Sequence, residues 1–253
     1  MTDSDHSASL VQSASDAYKC GDHVRALALC NEAISISPSN LKGKLIRALV
    51  NQATQNHSEA INELTEILAK SHRGPFTVPA LYSRARSNSA IAQSRQAAND
   101  CATILEIDPN HHDARFLYCV ALKALDEIEQ AFVEATQLIE ARPDYHEAIY
   151  TRATIRHMMA DWSGAVEDFT AYLKNAESSP EFQHDAYFLR GFGYHHLNSN
   201  ETALADLNHA LTLEPNNATT LARRSLEYSE LGRAEESKAD IERCKELLDG
   251  DAR

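Results

Sequence analysis

Histidines and cysteines are the side chains of this sequence best suited to chemistry. The 253 residues include 12 His and 5 Cys. No two cysteines form a CxxC pair, so their spacing indicates neither a zinc site nor a redox motif. The sequence also lacks a GxSxG turn, a Walker phosphate loop and an HExxH helix. We therefore expect no enzyme activity and no cofactor.

Among the histidines, His157, His195 and His196 are of most interest. A metal site needs three or four ligands with oriented partners, and no such set is evident, so a metal site is the least favoured interpretation. A patch that contacts a peptide and an ordinary solvated surface both stay open. The solvated surface is the simpler of the two.

The acidic charge excludes one class of partner. The formal net charge is -13, and nucleic-acid phosphates would be repelled by it. The charge either keeps a long surface soluble or favours a basic or neutral protein partner. No apolar run approaches the roughly 18 residues of a membrane helix. The segment MTDSDHSASL lacks the basic start and apolar core of a signal peptide, so we expect a cytoplasmic protein.

The elements that position these residues are indicated by the prolines. Pro109 and Pro143 are 34 residues apart, and Pro38 and Pro215 fit the same interval with two short insertions. Self-similarity at such a period is typical of a repeat array. Seven frames begin at Ser7, Leu41, Val78, His112, His146, His184 and Ala218.

Two columns of small residues support these frames. The eighth place holds Ala14, Ala48, Ala85, Cys119, Ala153, Gly191 and Ser225. The twentieth place holds Ala26, Ala60, Ala97, Ala131, Ala165, Ala203 and Ser237. Small side chains let two antiparallel helices approach closely, and the apolar twenty-fourth place fills the gap one turn on. Each frame is therefore predicted to be a helix hairpin that a proline ends. Four cysteines fall in core columns and are predicted to be buried, namely Cys30, Cys101, Cys119 and Cys244.

These columns resemble the tetratricopeptide repeat (TPR), a helix–turn–helix of 34 residues. The pattern is clearest in AIYTRATIRHMMADWSGAVEDFTAYL and AYFLRGFGYHHLNSNETALADLNHALTLEPNN. The resemblance implies an all-α, right-handed superhelical solenoid of seven hairpins over residues 7–248. A disordered or frayed segment 1–6 would precede it and a tail 249–253 would follow it. In such an array the first helix of each repeat lines the concave side.

Three repeats depart from the family pattern. The second has no closing proline and runs into KSHRGPFTVPA, where we expect a longer exposed loop with Gly74, Pro75 and Pro79. The fifth closes with the lengthened NAESSPEF. The seventh carries Ser237 and many charges from Arg233 to Glu246, as expected of a polar cap on a solenoid.

Five frames carry arginine at the seventh place, and each has an acid sixteen residues later. The pairs are Arg47–Glu63, Arg84–Asp100, Arg152–Asp168, Arg190–Asp206 and Arg224–Asp240. The two places lie on different helices of one hairpin, so a salt bridge would join those helices. If exposed, each pair contributes only about 0.2–1 kcal/mol. The alternative is that both faces are independently polar.

The fifth place carries aromatic residues in four consecutive repeats. In the family this place, with the ninth and twelfth, points into the concave groove. The resemblance therefore implies peptide-binding residues at Tyr82, Arg86, Phe116, Val120, Tyr150, His157, Phe188, Phe192 and His195. Asp113, Glu147 and Asp185 would add an acidic edge that favours a ligand with Lys or Arg beside its apolar residues. Simple packing of these aromatics between helices is an equally weighted alternative.

Some TPR proteins clamp the C-terminal carboxylate of chaperones with Lys and Asn at the fifth and ninth places. Here those places hold Val11 and Ser15, or Phe116 and Val120, so the clamp is missing. The resemblance implies a non-enzymatic scaffold or adaptor that holds a peptide or helix of a partner protein. The alternative is a self-assembling, homo-oligomeric or co-chaperone-like subunit of a larger complex.

Overall fold

The chain is built of helices alone wherever the structure describes it. A computed structural model describes residues 2–71, 74–174 and 180–251, and these ranges form 14 helices and no strand. The helices are α1 (Asp3–Lys19), α2 (His23–Ile36), α3 (Leu41–Ala53), α4 (His57–Lys70), α5 (Thr77–Ala90), α6 (Ser94–Ile107), α7 (His112–Ala124), α8 (Ile128–Ala141), α9 (His146–Met158), α10 (Trp162–Leu173), α11 (Pro180–His196), α12 (Asn200–Leu213), α13 (Ala218–Glu230) and α14 (Ala234–Asp251). The predicted all-α class is confirmed. Each frame contains one odd-numbered A helix and one even-numbered B helix.

Two compact units divide the chain. The N-terminal unit, Met1–Glu127, contains α1 to α7, and the C-terminal unit, Ile128–Arg253, contains α8 to α14. Within each unit every helix packs on the next one. A helices of successive repeats also touch, as α3 and α5 do in the first unit and α9 and α11 do in the second. The A helices of a unit therefore lie beside one another.

Small side chains allow the close contact inside each hairpin. At the twentieth place the alanines have no exposed surface, and they are Ala26, Ala60, Ala97, Ala131, Ala165 and Ala203. At the eighth place of the sixth repeat, a Cβ on Gly191 would lie 3.2 Å from the carbonyl oxygen of Ala203 and 3.3 Å from Asp206 Cβ. The two columns therefore face each other, and larger side chains would force the helices apart.

The twenty-fourth place fills the core beside this contact. Its fully buried residues are Cys30, Leu64, Cys101, Ala135, Phe169 and Leu207. Ile241 in the seventh repeat is 42% exposed instead. No described helix follows α14 to cover it.

Every A helix turns towards its B helix through a residue with positive φ at the fifteenth place. These residues are Gly21, Gln55, Ala92, Asp126, Ala160, Asn198 and Gly232, with φ between 57° and 79°. Left-handed backbone suits Gly, and Asn and Asp tolerate it better than other residues do. Gln55, Ala92 and Ala160 therefore carry local strain, which the packed helices on either side maintain.

Prolines end the helices where the spacing predicts. Pro38, Pro109, Pro143 and Pro215 each follow the last residue of a B helix by two positions. Asn40, just after the first of them, caps α3 by accepting a hydrogen bond from the Gly43 N–H at 2.9 Å. The turn residues thus close one repeat and start the next.

Both ends of the chain are more helical than expected. α1 begins at Asp3, inside the segment 1–6 that we expected to be disordered or frayed, because Thr2 and Asp5 form a capping box there. α14 continues to Asp251, into the predicted tail 249–253.

The connection between α4 and α5 is shorter than the predicted loop, because α5 begins before Pro79. Gly74 and Pro75 lie outside helices, but Pro79 lies in the first turn of α5. A helix tolerates proline there because its first N–H groups have no helical acceptor. Residues 175–179, which contain most of the predicted lengthening of the fifth repeat, lie outside the described residues.

Three of the four cysteines predicted in the core are buried. Cys30, Cys101 and Cys119 have almost no exposed surface. The prediction is wrong for Cys244, which is half-buried on α14 with its Sγ 3.5 Å from the carbonyl oxygen of Ala218. Burial raises the pKa of the Cys30 thiol to about 11 and that of Cys101 to about 12. Both thiols therefore act as apolar core groups.

All five predicted arginine–acid pairs are formed. Arg84 donates from Nε and Nη2 to the two carboxylate oxygens of Asp100 at 2.9 and 2.7 Å. The other pairs use the same two nitrogens and are Arg47–Glu63, Arg152–Asp168, Arg190–Asp206 and Arg224–Asp240. The five carboxylate side chains are at most 8% exposed. These are buried pairs rather than the exposed ones that weak surface contacts would give.

Four of these arginines also reach the preceding repeat through Nη1. The donor–acceptor pairs are Arg47–Asn31 (2.8 Å), Arg84–Thr65 (3.0 Å), Arg190–Thr170 (3.2 Å) and Arg224–Asn208 (2.8 Å). Every acceptor stands at the twenty-fifth place of the preceding repeat. One guanidinium therefore joins three helices. Where Tyr118 replaces the arginine, Ala102 stands at the acceptor place before it, so both halves of the contact are absent together.

We predict that Arg190→Met lowers the free energy of unfolding by about 3–5 kcal/mol, because it leaves the buried Asp206 carboxylate unpaired. Adding Asp206→Asn should recover part of this loss, since no buried charge then remains. Urea unfolding followed by circular dichroism measures both. As a control, Arg243→Met removes a pair whose side chains are 48% and 67% exposed, and should cost less than about 1 kcal/mol. Equal costs for the two arginines would contradict a special role for the buried pair.

We also predict that Ala92→Gly stabilises the N-terminal unit by roughly 0.5–1 kcal/mol, because Gly relieves the left-handed strain at the fifteenth place. Ala8→Gly, at an exposed position inside α1, is the matched control and should destabilise by about 1 kcal/mol. Thermal unfolding distinguishes the opposite signs. Destabilisation by both substitutions would show that the turn is not strained.

Candidate peptide-binding face

Four of the predicted groove residues lie in the N-terminal unit. Tyr82 is half-buried, and its ring centre is 5.1 Å from that of His111. Burial raises the pKa of the Tyr82 hydroxyl. Phe116 and Val120 are also half-buried, whereas Arg86 is exposed. The apolar members of this group thus contribute to helix packing, and Arg86 extends into solvent.

Tyr150, in the C-terminal unit, is one of the aromatic residues at the fifth place, and its ring packs in the core. Its ring centre lies 5.9 Å from that of Phe169, and 5.2 Å from those of both Tyr172 and Phe182. Burial, with smaller effects of Asp185 and Tyr172, raises the pKa of Tyr150 to about 12. Helix packing is therefore the main role of this ring, and its truncation would leave a cavity.

Phe188 lies beside a hydrogen-bonded contact between α11 and α13. Its half-buried ring stacks on the His184 ring, with centres 6.3 Å apart and planes at 8°. His184 Nε2 is 3.0 Å from Thr220 Oγ1, and its Nδ1 is 3.0 Å from the exposed Asp185 carboxylate. These contacts position Phe188 and Asp185 side by side on the A helices.

The remaining predicted residues of this unit meet in one group, which we call the histidine cluster. It consists of His157, Trp162, Phe192, His195, His196, Arg223 and Glu227. The side chains come from α9, α10, α11 and α13. Sequence analysis predicted three members as site residues, namely His157, Phe192 and His195.

Aromatic contacts form one side of the histidine cluster. The Phe192 ring centre lies 5.0 Å from that of His157, 5.7 Å from that of Trp162 and 4.8 Å from that of His196. Trp162 and His196 stack with centres 4.1 Å apart and planes at 9°. His157 meets Trp162 edge-on at 5.2 Å. These offset and edge contacts are the favourable geometries for aromatic rings.

A buried carboxylate forms the other side of the cluster. Glu227 has no exposed surface. Its Oε1 lies 3.0 Å from His195 Nδ1 and 3.2 Å from Arg223 Nη2. The Arg223 guanidinium carbon is also 4.3 Å from the centre of the Phe192 ring, within cation–π range. One anion thus holds a guanidinium and an imidazole against the aromatic rings.

The imidazoles of His157 and His196 are held neutral. Burial lowers the pKa of His157, with a smaller effect of His196, and His157 Nε2 is buried without a hydrogen-bond partner among the described residues. Burial also lowers the pKa of His196, helped by the nearby His195 and Arg223 and opposed by Glu227. An imidazole with a lowered pKa carries no charge at neutral pH.

Known proteins share the helix-hairpin architecture. The family model described as tetratricopeptide repeat matches residues 184–217 and 218–247, which are the sixth and seventh frames. A tetratricopeptide repeat protein from Parabacteroides merdae is 17% identical with a TM-score of 0.68, and the match covers 96% of this chain and 93% of that one. MamA from Desulfovibrio magneticus is 14% identical with a TM-score of 0.65, over 70% of this chain and 97% of that one. At these identities the similarity shows the fold.

The sixth and seventh repeats thus match the tetratricopeptide repeat family, and the chain shares the fold of such proteins. Among curated relatives, serine/threonine-protein phosphatase 5 of Rattus norvegicus is 29% identical over 105 residues, which are 42% of this chain and 20% of that relative. The Homo sapiens counterpart is 28% identical over the same length. The matched segment thus spans about a fifth of the length of these curated relatives.

Arg223 and Glu227 are partners of the predicted site residues that the sequence patterns do not indicate. Glu227 stands at the tenth place of its repeat. In the second to sixth repeats that place holds buried small or apolar residues, namely Val50, Ser87, Ala121, Ile155 and Gly193. The place faces the preceding repeat, since a Cβ on Gly193 would lie 2.8 Å from Val166 Cγ2. In the first repeat, which has no repeat before it, the same place holds the exposed Asp16. An acid in this column of a later repeat therefore indicates a buried polar contact, but nothing in the sequence indicates its partners.

The two units of the chain differ in charge. The N-terminal unit has 14 acidic and 12 basic residues, for a net charge of -2, and the C-terminal unit has 23 and 12, for -11. Within the described part of the C-terminal unit every arginine is paired with an acid, and these arginines are Arg142, Arg152, Arg156, Arg190, Arg223, Arg224, Arg233 and Arg243. Exposed acids such as Glu147 and Glu230 on the A helices therefore leave a negative surface.

The described residues contain neither a metal-ligand cluster nor a membrane-spanning helix. No three His, Cys, Asp or Glu side chains converge there to hold a metal ion. No helix within these ranges is sufficiently long and apolar to cross a membrane.

We predict that the C-terminal unit loses stability on acidification. A histidine whose pKa is lowered by folding stabilises the folded state fully above the unfolded pKa of about 6.5, and this contribution disappears as the pH falls towards the folded value. The midpoint of thermal unfolding should therefore be lower at about pH 5.5 than at about pH 7.5. His157→Phe cannot be protonated there and should show a smaller difference.

The matched control for this prediction is His209→Phe, at an exposed position on α12 in the same unit. It should keep the full difference between the two pH values. If His157→Phe also keeps it, His157 does not contribute to the acid sensitivity.

Proposed function

We propose that this protein is a non-enzymatic scaffold that holds a basic and apolar segment of a partner protein against its A helices. One observation carries the proposal: the A helices of the C-terminal unit carry exposed acids as well as partly exposed apolar side chains. Aromatic and aliphatic anchors bordered by charge are a common way to bind a peptide or helix.

The apolar part of this face is provided by α11 and α13. Phe188 is half-buried, and Leu226 is 54% exposed on α13. A partner helix or extended peptide could cover both without disturbing the hairpin cores, which lie between A and B helices. The same ligand would be contacted by three residues of the histidine cluster, namely Phe192, His157 and His195. Tyr150 would contribute chiefly through its packing in the core beneath this face.

The acidic part of the face selects the charge of the ligand. Glu147 and Asp185 are exposed near the starts of α9 and α11, and Glu230 is exposed at the end of α13. With the arginines of the described part of this unit already paired, these carboxylates favour Lys or Arg on the partner. Such charge complementarity accelerates association and suppresses acidic competitors more than it adds affinity.

The N-terminal unit would bind its own stretch of ligand through Tyr82, Arg86, Phe116 and Val120. Arg86 is the exposed member of this set, so it is the proposed polar contact. The family's carboxylate-clamp residues are replaced at the fifth and ninth places, which argues against chaperone tails as the ligand. The location in the cytoplasm stays a prediction.

We predict that Glu147→Lys weakens binding of a labelled peptide of alternating Lys and Phe by about threefold to tenfold at low salt. Glu201→Lys is the matched control, because Glu201 is also an exposed acid in the first turn of a helix but lies on a B helix. The control should leave the affinity nearly unchanged. Leu226→Ser should also weaken binding, since it removes an exposed apolar contact at little cost to the core.

Fluorescence anisotropy measures these affinities, and a peptide of alternating Glu and Phe tests the choice of charge. Equal loss from Glu147→Lys and Glu201→Lys would mean that total charge, and not the A-helix face, attracts the peptide. Light scattering on the same samples tests the alternative of self-association. A stable oligomer that excludes the peptide would contradict the scaffold proposal.

A further inference from the structure

The histidine cluster has a charge balance that depends on pH. At neutral pH it contains one buried anion, Glu227, and one guanidinium, Arg223, in contact at 3.2 Å. His157, which is half-buried, and His196, which is exposed, are uncharged there because desolvation and, for His196, the nearby His195 and Arg223 lower their pKa values. The aromatic rings of the cluster therefore sit beside a nearly neutral group of side chains on an acidic unit.

Acidification would make the cluster positive, because it contains no spare acid. Within the described residues, Glu227 is the acid in ion-pair contact with these imidazoles, and it is already shared by His195 and Arg223. From α10, the cluster receives the uncharged Trp162. On α9, Arg156, which adjoins His157 in sequence, is engaged by Asp161 and Asp168. Each added proton thus increases the positive charge.

The position of the cluster connects this charge to ligand binding. Phe192, His157 and His195 belong to the proposed binding face, and His196 stacks on Trp162 in contact with Phe192. Imidazolium groups at these positions would stand next to the Lys or Arg side chains of a bound segment. Like charges at such distances repel even through partly solvated surroundings.

We infer that the A-helix face of the C-terminal unit releases its basic ligand on acidification, through protonation of the histidine cluster. The inference rests on the proposed function and adds to it a regulation of the same face. Histidine is the side chain suited to this role, because its charge changes over the mildly acidic range. An acidic ligand would show the opposite dependence on pH.

The first test compares the affinity of the full chain for the labelled Lys–Phe peptide at about pH 7.5 and about pH 5.5, at constant ionic strength. We expect the affinity to be about tenfold weaker at the lower pH, as two or three added charges require. In a variant with His157→Gln, His195→Gln and His196→Gln, the affinities at the two pH values should become nearly equal. This expectation holds whatever the affinity of the variant is at neutral pH. His209→Gln is the control and should keep the tenfold ratio.

The outcomes separate this inference from the function on which it rests. If the parent protein binds the peptide equally at both pH values, or if the triple variant keeps the ratio, the inference is wrong and the proposed function stands. If the helical circular dichroism signal is lost at the lower pH, release is unfolding and the switch is again wrong. If the peptide does not bind at neutral pH, both proposals fail.

A second test needs no ligand. Trp162 is the single tryptophan of the chain, and it touches both His157 and His196. A protonated imidazole in contact with indole quenches its fluorescence, so the emission should fall with a midpoint below the ordinary histidine pKa of about 6.5. His196→Gln should remove most of this change and His209→Gln none of it. Emission that stays constant through this range would overturn the switch.

Discussion

Close contact between the two helices of each hairpin is the constraint on which the rest of this structure depends. Gly191 against Ala203 shows its limit, because even one added carbon at Gly191 would press on the backbone of the partner helix. The alanines of the twentieth place are buried for the same reason. Since the inner faces of the A and B helices are occupied by this contact, the outer side chains of the A helices are left for neighbouring repeats or for a ligand.

The buried arginine pairs fix the position of one hairpin against the next. Each guanidinium donates from two nitrogens to the acid of its own hairpin. In four cases a third nitrogen donates to a side-chain oxygen on the preceding B helix. Hydrophobic contact alone would tolerate small slips of one hairpin on the next, whereas a planar fork with three fixed acceptors does not. The buried acid makes the arrangement stable only while the arginine is present. The acidic surface of the C-terminal unit is made by other, exposed carboxylates, such as Glu147 and Glu230.

Much of the fold follows from features that recur along the repeats: the small columns in all seven, the arginine pairs in five and the closing prolines in four. Recurrence reveals them because one physical requirement acts repeatedly on the same place. Local exceptions could not be predicted that way: the capping box that starts α1 at Asp3, Pro79 inside α5, and the half-buried Cys244. The positive φ of the fifteenth place could not be predicted from the sequence either, since only Gly21 and Gly232 among its residues are glycines. In the candidate site, the family resemblance placed His157, Phe192 and His195 on one face, but the partners Arg223 and Glu227 depend on a contact between repeats that a single frame does not contain.

The proposed role of this protein depends on which helices contact the ligand, and hydrogen–deuterium exchange measures this directly. The full chain would be compared with and without the Lys–Phe peptide at neutral pH. The account predicts added protection in the C-terminal unit at residues 146–158, 180–196 and 218–230, which are its A helices. Protection confined to the B helices, at residues 162–173, 200–213 and 234–251, would contradict it.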